Sequence, residues 1–82
     1  MNECFVLGKI ISLVDFKFII NGKNIAIAQF KVKLRNNSII KVKAYNEIAD
    51  YCYRELKINR SVFIYGYINT NKEIIVLDLE YV

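Results

Sequence analysis

The sequence of 82 residues predicts a mainly β fold, a barrel of five short strands with one short helix between the third and the fourth. Two segments, 26–34 and 39–45, alternate apolar and polar side chains with period two, which is typical of half-buried strands. Residues 46–56 instead repeat apolar side chains at helical spacing. Asn-Gly and Asn-Lys turn signals separate the remaining strand-like segments. The length suits a single domain, residues 1–82.

The first twenty residues are too apolar for a strand with one solvated side. Gly8 interrupts the apolar run, where a bend or a close backbone approach is expected. We therefore expect either a long, curved first strand that serves two sheets or an apolar edge that a second subunit buries. Asn21-Gly22 then predicts a hairpin into the second strand.

The register of strands two and three follows from keeping their apolar even-numbered positions inward. A two-residue loop at 36–37 would set Lys33 opposite Ile40 and force a lysine towards the core. A three-residue loop at 36–38 avoids this conflict, and we predict it. The predicted pairs are Lys33 with Lys41, Lys31 with Lys43, and Gln29 with Tyr45.

The predicted helix begins after Asn46, a good N-cap residue, and ends near Leu56. Its apolar stripe would plug one end of the barrel. Segments 61–70 and 73–82 then form strands four and five around a turn at Asn71-Lys72. On strand four, Phe63, Tyr65 and Tyr67 are expected to point away from the core.

The net charge of +4 is unevenly distributed, because residues 16–46 contain seven basic side chains and no acid. This segregation indicates an anionic partner. Like charges facing each other across a strand pair are destabilising by about 0.2–1 kcal/mol. Phosphates would remove that cost while they release counterions. The ordinary alternative is that outward lysines keep the strand edges soluble.

Composition argues against an enzyme and against a metal or cofactor site. The sequence has no histidine, its acids are scattered, and it lacks a Cys-x-x-Cys pair, a phosphate-binding glycine loop and a nucleophile elbow. Cys4 and Cys52 are expected to be free thiols in a reducing compartment. With no leader and no membrane-spanning run, the sequence favours a cytoplasmic location.

The predicted element order is three strands, a helix and two strands in a short chain. This is the element order of the OB-fold, a Greek-key barrel. The residues also resemble the bacterial single-stranded-DNA-binding protein family. The resemblance implies non-enzymatic, largely sequence-independent binding of single-stranded DNA, in replication, recombination or mobile-element maintenance. The matching segments are NECFVLGKI, IAIAQFKVKL, IIKVKAYNEIADYCYREL, SVFIYGYINT and LEYV.

The resemblance also assigns roles to individual positions. Lys9 matches a basic residue that lies near the DNA, and Tyr45 matches an aromatic residue on which a base stacks. Ile39 stands where some members have tryptophan. The family's long basic hairpins are reduced here to NNS and TNKE. We also expect the protein to lack the family's acidic C-terminal tail for recruiting replication proteins. The chain therefore resembles the short primosomal, phage and plasmid relatives.

The predicted site lies on the basic strands. Tyr65 and Tyr67 are candidates for either a nucleic-acid contact or a subunit interface. The apolar first strand favours a homodimer or homotetramer. Single-stranded RNA as the ligand, and a protein-interaction module that docks an acidic partner, stay open as alternatives. The predicted nucleic-acid-binding residues are Lys9, Lys31, Lys33, Arg35, Lys41, Lys43 and Tyr45.

Overall fold

The computed structural model describes residues 2–82 and shows a closed five-stranded β-barrel with one extra strand and one short helix. This architecture confirms the predicted mainly β OB-fold. The elements in chain order are β1 (Asn2–Ile10), β2 (Asp15–Asn21), β3 (Lys23–Leu34), β4 (Ile39–Tyr45), α1 (Asn46–Glu55), β5 (Ser61–Ile68) and β6 (Ile74–Tyr81).

The barrel closes because β1 pairs with two strands at once. Residues 2–9 of β1 run antiparallel to β5, while residues 8–10 also run antiparallel to the end of β3. A short parallel pairing of β4 with β6, at Val42–Ile74, completes the circle. The order around the barrel is therefore β1-β3-β4-β6-β5, which is the Greek-key order of an OB-fold.

The long, curved first strand predicted from the sequence is present in two parts, β1 and β2. Both run antiparallel to the same edge of β3, and residues 11–14 between them bulge outwards opposite Phe30 and Lys31. Lys31 holds this bulge through its backbone, since its carbonyl accepts from the N–H of Ile11 at 3.0 Å and its own N–H donates to Ser12 Oγ at 2.8 Å. The predicted hairpin into β3 is confirmed, with Gly22 at φ +71° in its turn.

The predicted β3–β4 register is wrong by two residues. The loop is three residues long as expected, but it comprises residues 35–37 instead of 36–38. Asn37 adopts φ +70° and donates to the carbonyl of Leu34 at 2.9 Å, and Leu34 N–H donates to Ser38 O at 2.8 Å. The hairpin loop therefore has three residues and ends in a left-handed residue. The observed pairs are Lys33 with Ile39, Lys31 with Lys41, Gln29 with Lys43, and Ile27 with Tyr45.

The even-numbered positions of β3 and β4 point inwards as predicted, because a shift of two residues preserves the period-two alternation. Small side chains, among them Ala28 and Ala44, let the helix approach the barrel. The helix buries Ala49 and Cys52 against them, and burial raises the pKa of the Cys52 thiol to about 12.

No helix within residues 2–82 is long and apolar enough to span a membrane.

The start of α1 differs from the prediction. Tyr45 is the N-cap residue and no side chain caps the helix, whereas Asn46 is its first residue, at φ +56°. The Asn46 side chain instead turns back to β3, where its Oδ1 accepts a hydrogen bond from the backbone N–H of Ala26 at 3.4 Å. The asparagine therefore ties the helix to the barrel.

Candidate nucleic-acid interface

One side of the barrel is a basic surface, because outward, odd-numbered positions of four strands carry lysine. We call it the basic face: the outward side chains at the end of β1, on β2, β3 and β4, and in the loop at 35–37. All the predicted basic residues lie on it, together with Lys17 of β2. Its basic members are Lys9, Lys17, Lys31, Lys33, Arg35, Lys41 and Lys43.

Two pairs of lysines face each other directly across strands. Lys31 of β3 lies opposite Lys41 of β4, and Lys9 of β1 lies opposite Lys33 of β3. All four residues are exposed. The sequence predicted two such pairs, both between β3 and β4, whereas the structure distributes them over three strands. Each pair keeps the unfavourable like-charge contact, and the pairs join into one patch.

Lys43, one of the predicted nucleic-acid-binding residues, forms an ion pair with an acid from outside residues 16–46. Its Nζ lies 3.6 Å from Oε1 of Glu73, and its side chain is only 21% exposed. Glu73 belongs to the loop between β5 and β6, which the parallel β4–β6 pairing brings to the edge of the basic face. Sequence reasoning missed this contact because the two residues are thirty positions apart.

The loop holds the Glu73 carboxylate in place through Asn69. The side-chain amide of Asn69 donates to Glu73 Oε1 at 2.9 Å, and its oxygen accepts from the backbone N–H of Glu73 at 2.9 Å. The hydrogen bond from Asn69 and the charges of Lys43 and Lys41 lower the pKa of Glu73 against the opposing effect of desolvation. The carboxylate is therefore ionised at neutral pH.

Tyr45 stands at the helix end of the basic face and is 38% exposed. It pairs with Ile27 of β3, which in turn pairs with Lys17 of β2, so the phenol ring and this lysine share one level of the sheet. Sequence reasoning missed Lys17 because it treated the first strand as one apolar segment. The alternation in Asp15-Phe16-Lys17 was the available signal.

Ile39 and Arg35 mark the other end of the basic face. Ile39 is 60% exposed and lies directly opposite Lys33, and Arg35 is exposed in the adjoining loop. Ile39 thus presents an apolar surface among cations.

Tyr65 and Tyr67 lie elsewhere, on the outer side of β5. The Tyr65 ring stacks on Phe5 of β1 with centroids 4.8 Å apart, and the Phe63 ring lies 5.9 Å from the ring of Phe5. The Tyr65 hydroxyl donates to Glu3 at 2.8 Å, a bond that raises the pKa of Tyr65. We call the outward side chains of Phe5, Leu7, Phe63 and Tyr65 the aromatic face.

The sequence is significantly similar to no protein-family model and to no curated protein. Solved structures do match. The SSB domain of a Synechococcus sp. protein superposes with a TM-score of 0.86 at 15% identity, covering 98% of this chain and 94% of that one. A small single-stranded DNA-binding protein from Streptomyces coelicolor gives 0.74 at 14%, covering 100% and 95%.

The single-stranded DNA binding protein from Thermus aquaticus gives a TM-score of 0.79 at 17% identity, with 100% of this chain matched to 40% of that one. The present chain thus spans less than half of that larger protein, but nearly all of the Synechococcus and Streptomyces chains. At these identities the likeness is one of fold. The resemblance stated from the sequence is confirmed at that level: this chain has the OB-fold of bacterial SSB domains.

Proposed function

We propose that the chain is a non-enzymatic module that binds single-stranded DNA on the basic face, largely independently of sequence. The observation that carries this proposal is the placement of two facing lysine pairs and an exposed tyrosine on one continuous side of an OB barrel. The similar solved structures, whose names describe single-stranded DNA binding, support it.

The lysines supply affinity that does not depend on base identity. Within residues 2–82, four exposed lysines form no ion pair: Lys9, Lys31, Lys33 and Lys41. Each phosphate that they neutralise releases condensed counterions and removes part of the repulsion within the lysine pairs. Arg35 and Lys17 extend the charge to the two ends of the face. Lys43 contributes less, because Glu73 already neutralises it.

In this proposal Tyr45 makes the basic face prefer single-stranded over double-stranded DNA. A base can stack on an exposed aromatic ring only if it is free of its Watson–Crick partner, and such stacking tolerates any base. The one helix of the described chain is packed against the barrel through Ala49 and Cys52, so it is not placed to enter a DNA major groove.

We expect the change Tyr45→Ala to weaken binding to oligo-dT about 5- to 150-fold, because loss of one stacked base costs about 1–3 kcal/mol. Tyr45→Phe should bind within about twofold of the wild type, since the ring is retained. Fluorescence anisotropy with labelled oligo-dT measures both. The matched control is Tyr53→Ala, which removes an exposed ring on α1, outside the basic face. Equal losses in the two alanine variants would contradict a stacking role for Tyr45.

We further propose that the aromatic face is the contact through which the chain forms a homodimer or homotetramer. Phe5 is 69% exposed and Leu7 51% exposed, and an apolar patch of this kind on a sheet marks an interaction surface. Residues 2–7 of β1 pair with β5 alone, so their other edge is open to a strand of a second copy. Two copies would combine two weak DNA sites.

Sedimentation equilibrium tests this assembly. The wild type should sediment as a dimer or tetramer, and Phe5→Glu should sediment as a monomer, because a charge would be buried at the contact. Phe5 packs on the outside of the barrel, so circular dichroism should show the variant folded. A monomeric wild type at the concentrations of the DNA titration would contradict the proposal.

A further inference from the structure

A groove of about 300 Å³ opens in the middle of the basic face. It lies between the bulge at 11–14, strands β3 and β4, and the loop that carries Glu73. Lys31 and Lys41 line one part of it. The next row of side chains across the sheet includes negative charge. In that row Asp15 of β2 pairs with Gln29 of β3, and Gln29 pairs with Lys43 of β4. The amine of Lys43 contacts Glu73.

Two carboxylates, those of Asp15 and Glu73, therefore line the groove together with the cations of Lys31 and Lys41. Asp15 is exposed, and its carboxylate forms no side-chain hydrogen bond or ion pair within residues 2–82. Glu73 is held by Asn69 through Oε1, which leaves its second oxygen available. A phosphate on the neighbouring lysines would be repelled from this position. A nucleic-acid strand whose phosphates lie on the lysines would therefore place a part other than its phosphates in the groove.

A nucleobase has the complementary chemistry. Cytosine carries an exocyclic amino group that donates hydrogen bonds to Asp or Glu, whereas thymine presents a carbonyl acceptor at the same place. Gln29 adds an amide to the floor, and Leu13, whose side chain is 80% exposed, offers an apolar wall to a base plane. The groove thus combines hydrogen-bond acceptors with an apolar contact, between two stretches of positive charge.

We propose that this groove is a nucleobase subsite that receives one unpaired base between Asp15 and Glu73 and favours cytosine over thymine. The inference rests on the proposed function, since the lysines must first hold a nucleic-acid strand across the groove. It refines that function by adding one selective position to an otherwise tolerant surface.

The test compares oligo-dC with oligo-dT of equal length by fluorescence anisotropy. We expect the wild type to bind oligo-dC about fivefold more tightly, since a favourable carboxylate–cytosine contact discriminates between bases. Asp15→Ala should reduce the preference to within about twofold, and it should tighten binding to oligo-dT because a repulsive charge is removed. Glu73→Gln retains an acceptor for the Asn69 amide. Like Asp15→Ala, it should reduce the preference for oligo-dC and tighten binding to oligo-dT.

The control is Glu55→Gln, which removes the same charge from the helix, outside the groove. It should preserve the preference for cytosine. Equal wild-type affinities for the two homopolymers, or a preference that survives both groove variants, would overturn the subsite while leaving single-strand binding intact. Failure of the wild type to bind either homopolymer would overturn the proposed function itself, and the subsite with it.

Discussion

The double reversal Lys31→Glu/Lys41→Glu is expected to weaken binding to single-stranded DNA by about a hundredfold or more at low salt, because it removes two phosphate contacts and adds two repulsive charges. The two side chains face each other across β3 and β4 and are exposed, so neither supports the core. The exchange replaces one like-charged pair with another, but it also removes the positive charge of Lys41 that favours the Glu73 carboxylate. The free energy of unfolding should therefore fall slightly, and the main loss should be in binding.

A charge-matched control separates local contact from net charge. Lys57→Glu/Lys72→Glu changes the net charge by the same amount with two exposed residues outside the basic face. This control should lose no more than about fivefold in affinity, through long-range electrostatics alone. If both double variants bind equally weakly in anisotropy titrations, the two lysines of the face have no special role.

Gly66→Ala is expected to lower the free energy of unfolding by about 3 kcal/mol, near the upper end for overpacking in a protein interior. A Cβ at this position would lie 2.2 Å from the backbone oxygen of Ile75 and 3.1 Å from the Ile74 side chain. Gly66 lies at the β-bulge between β5 and β6. The obstacle is backbone, so no side-chain rotation relieves it.

Gly22→Ala provides the comparison, because its Cβ would meet no atom within 4 Å although the residue has φ +71°. Its cost should be about 1 kcal/mol, from the left-handed backbone alone. Urea unfolding followed by circular dichroism measures both variants. A Gly66→Ala protein as stable as Gly22→Ala would show that the bulge relaxes and that the barrel tolerates a wider separation of β5 and β6.

The parts of the fold that local chemistry determines were predictable from the sequence. Period-two alternation placed the inward positions of β3 and β4 correctly, and the Asn-Gly signal correctly located the hairpin at Gly22. The register failed because residues 36–38, Asn-Asn-Ser, are all good turn formers, and any of several three-residue windows satisfies the alternation. The left-handed conformation of Asn37, which decides between them, left no separate signal in the sequence.

In the candidate site, too, local features were predictable from the sequence and contacts between distant residues were not. Outward positions of Lys31, Lys33, Lys41 and Tyr45 follow from alternation along a strand, which is a local property. The pairing of Lys9 with Lys33 and the contact between Lys43 and Glu73 depend on how distant strands meet around the barrel. No local pattern contains that information. The positions of the Asp15 and Glu73 carboxylates beside the lysines therefore could not be predicted from the sequence.

The salt dependence of binding tests the central claim most directly. The wild type should be titrated against labelled oligo-dT and against a duplex of the same length at several salt concentrations. We predict a clear preference for the single strand and a slope of log K against log salt of about −3, since each of about four neutralised phosphates contributes about −0.7. In Lys31→Glu/Lys41→Glu the slope should be shallower by about 1.4 or more. Equal binding to duplex, or a slope near zero, would contradict the account and favour an acidic protein as the partner of the basic face.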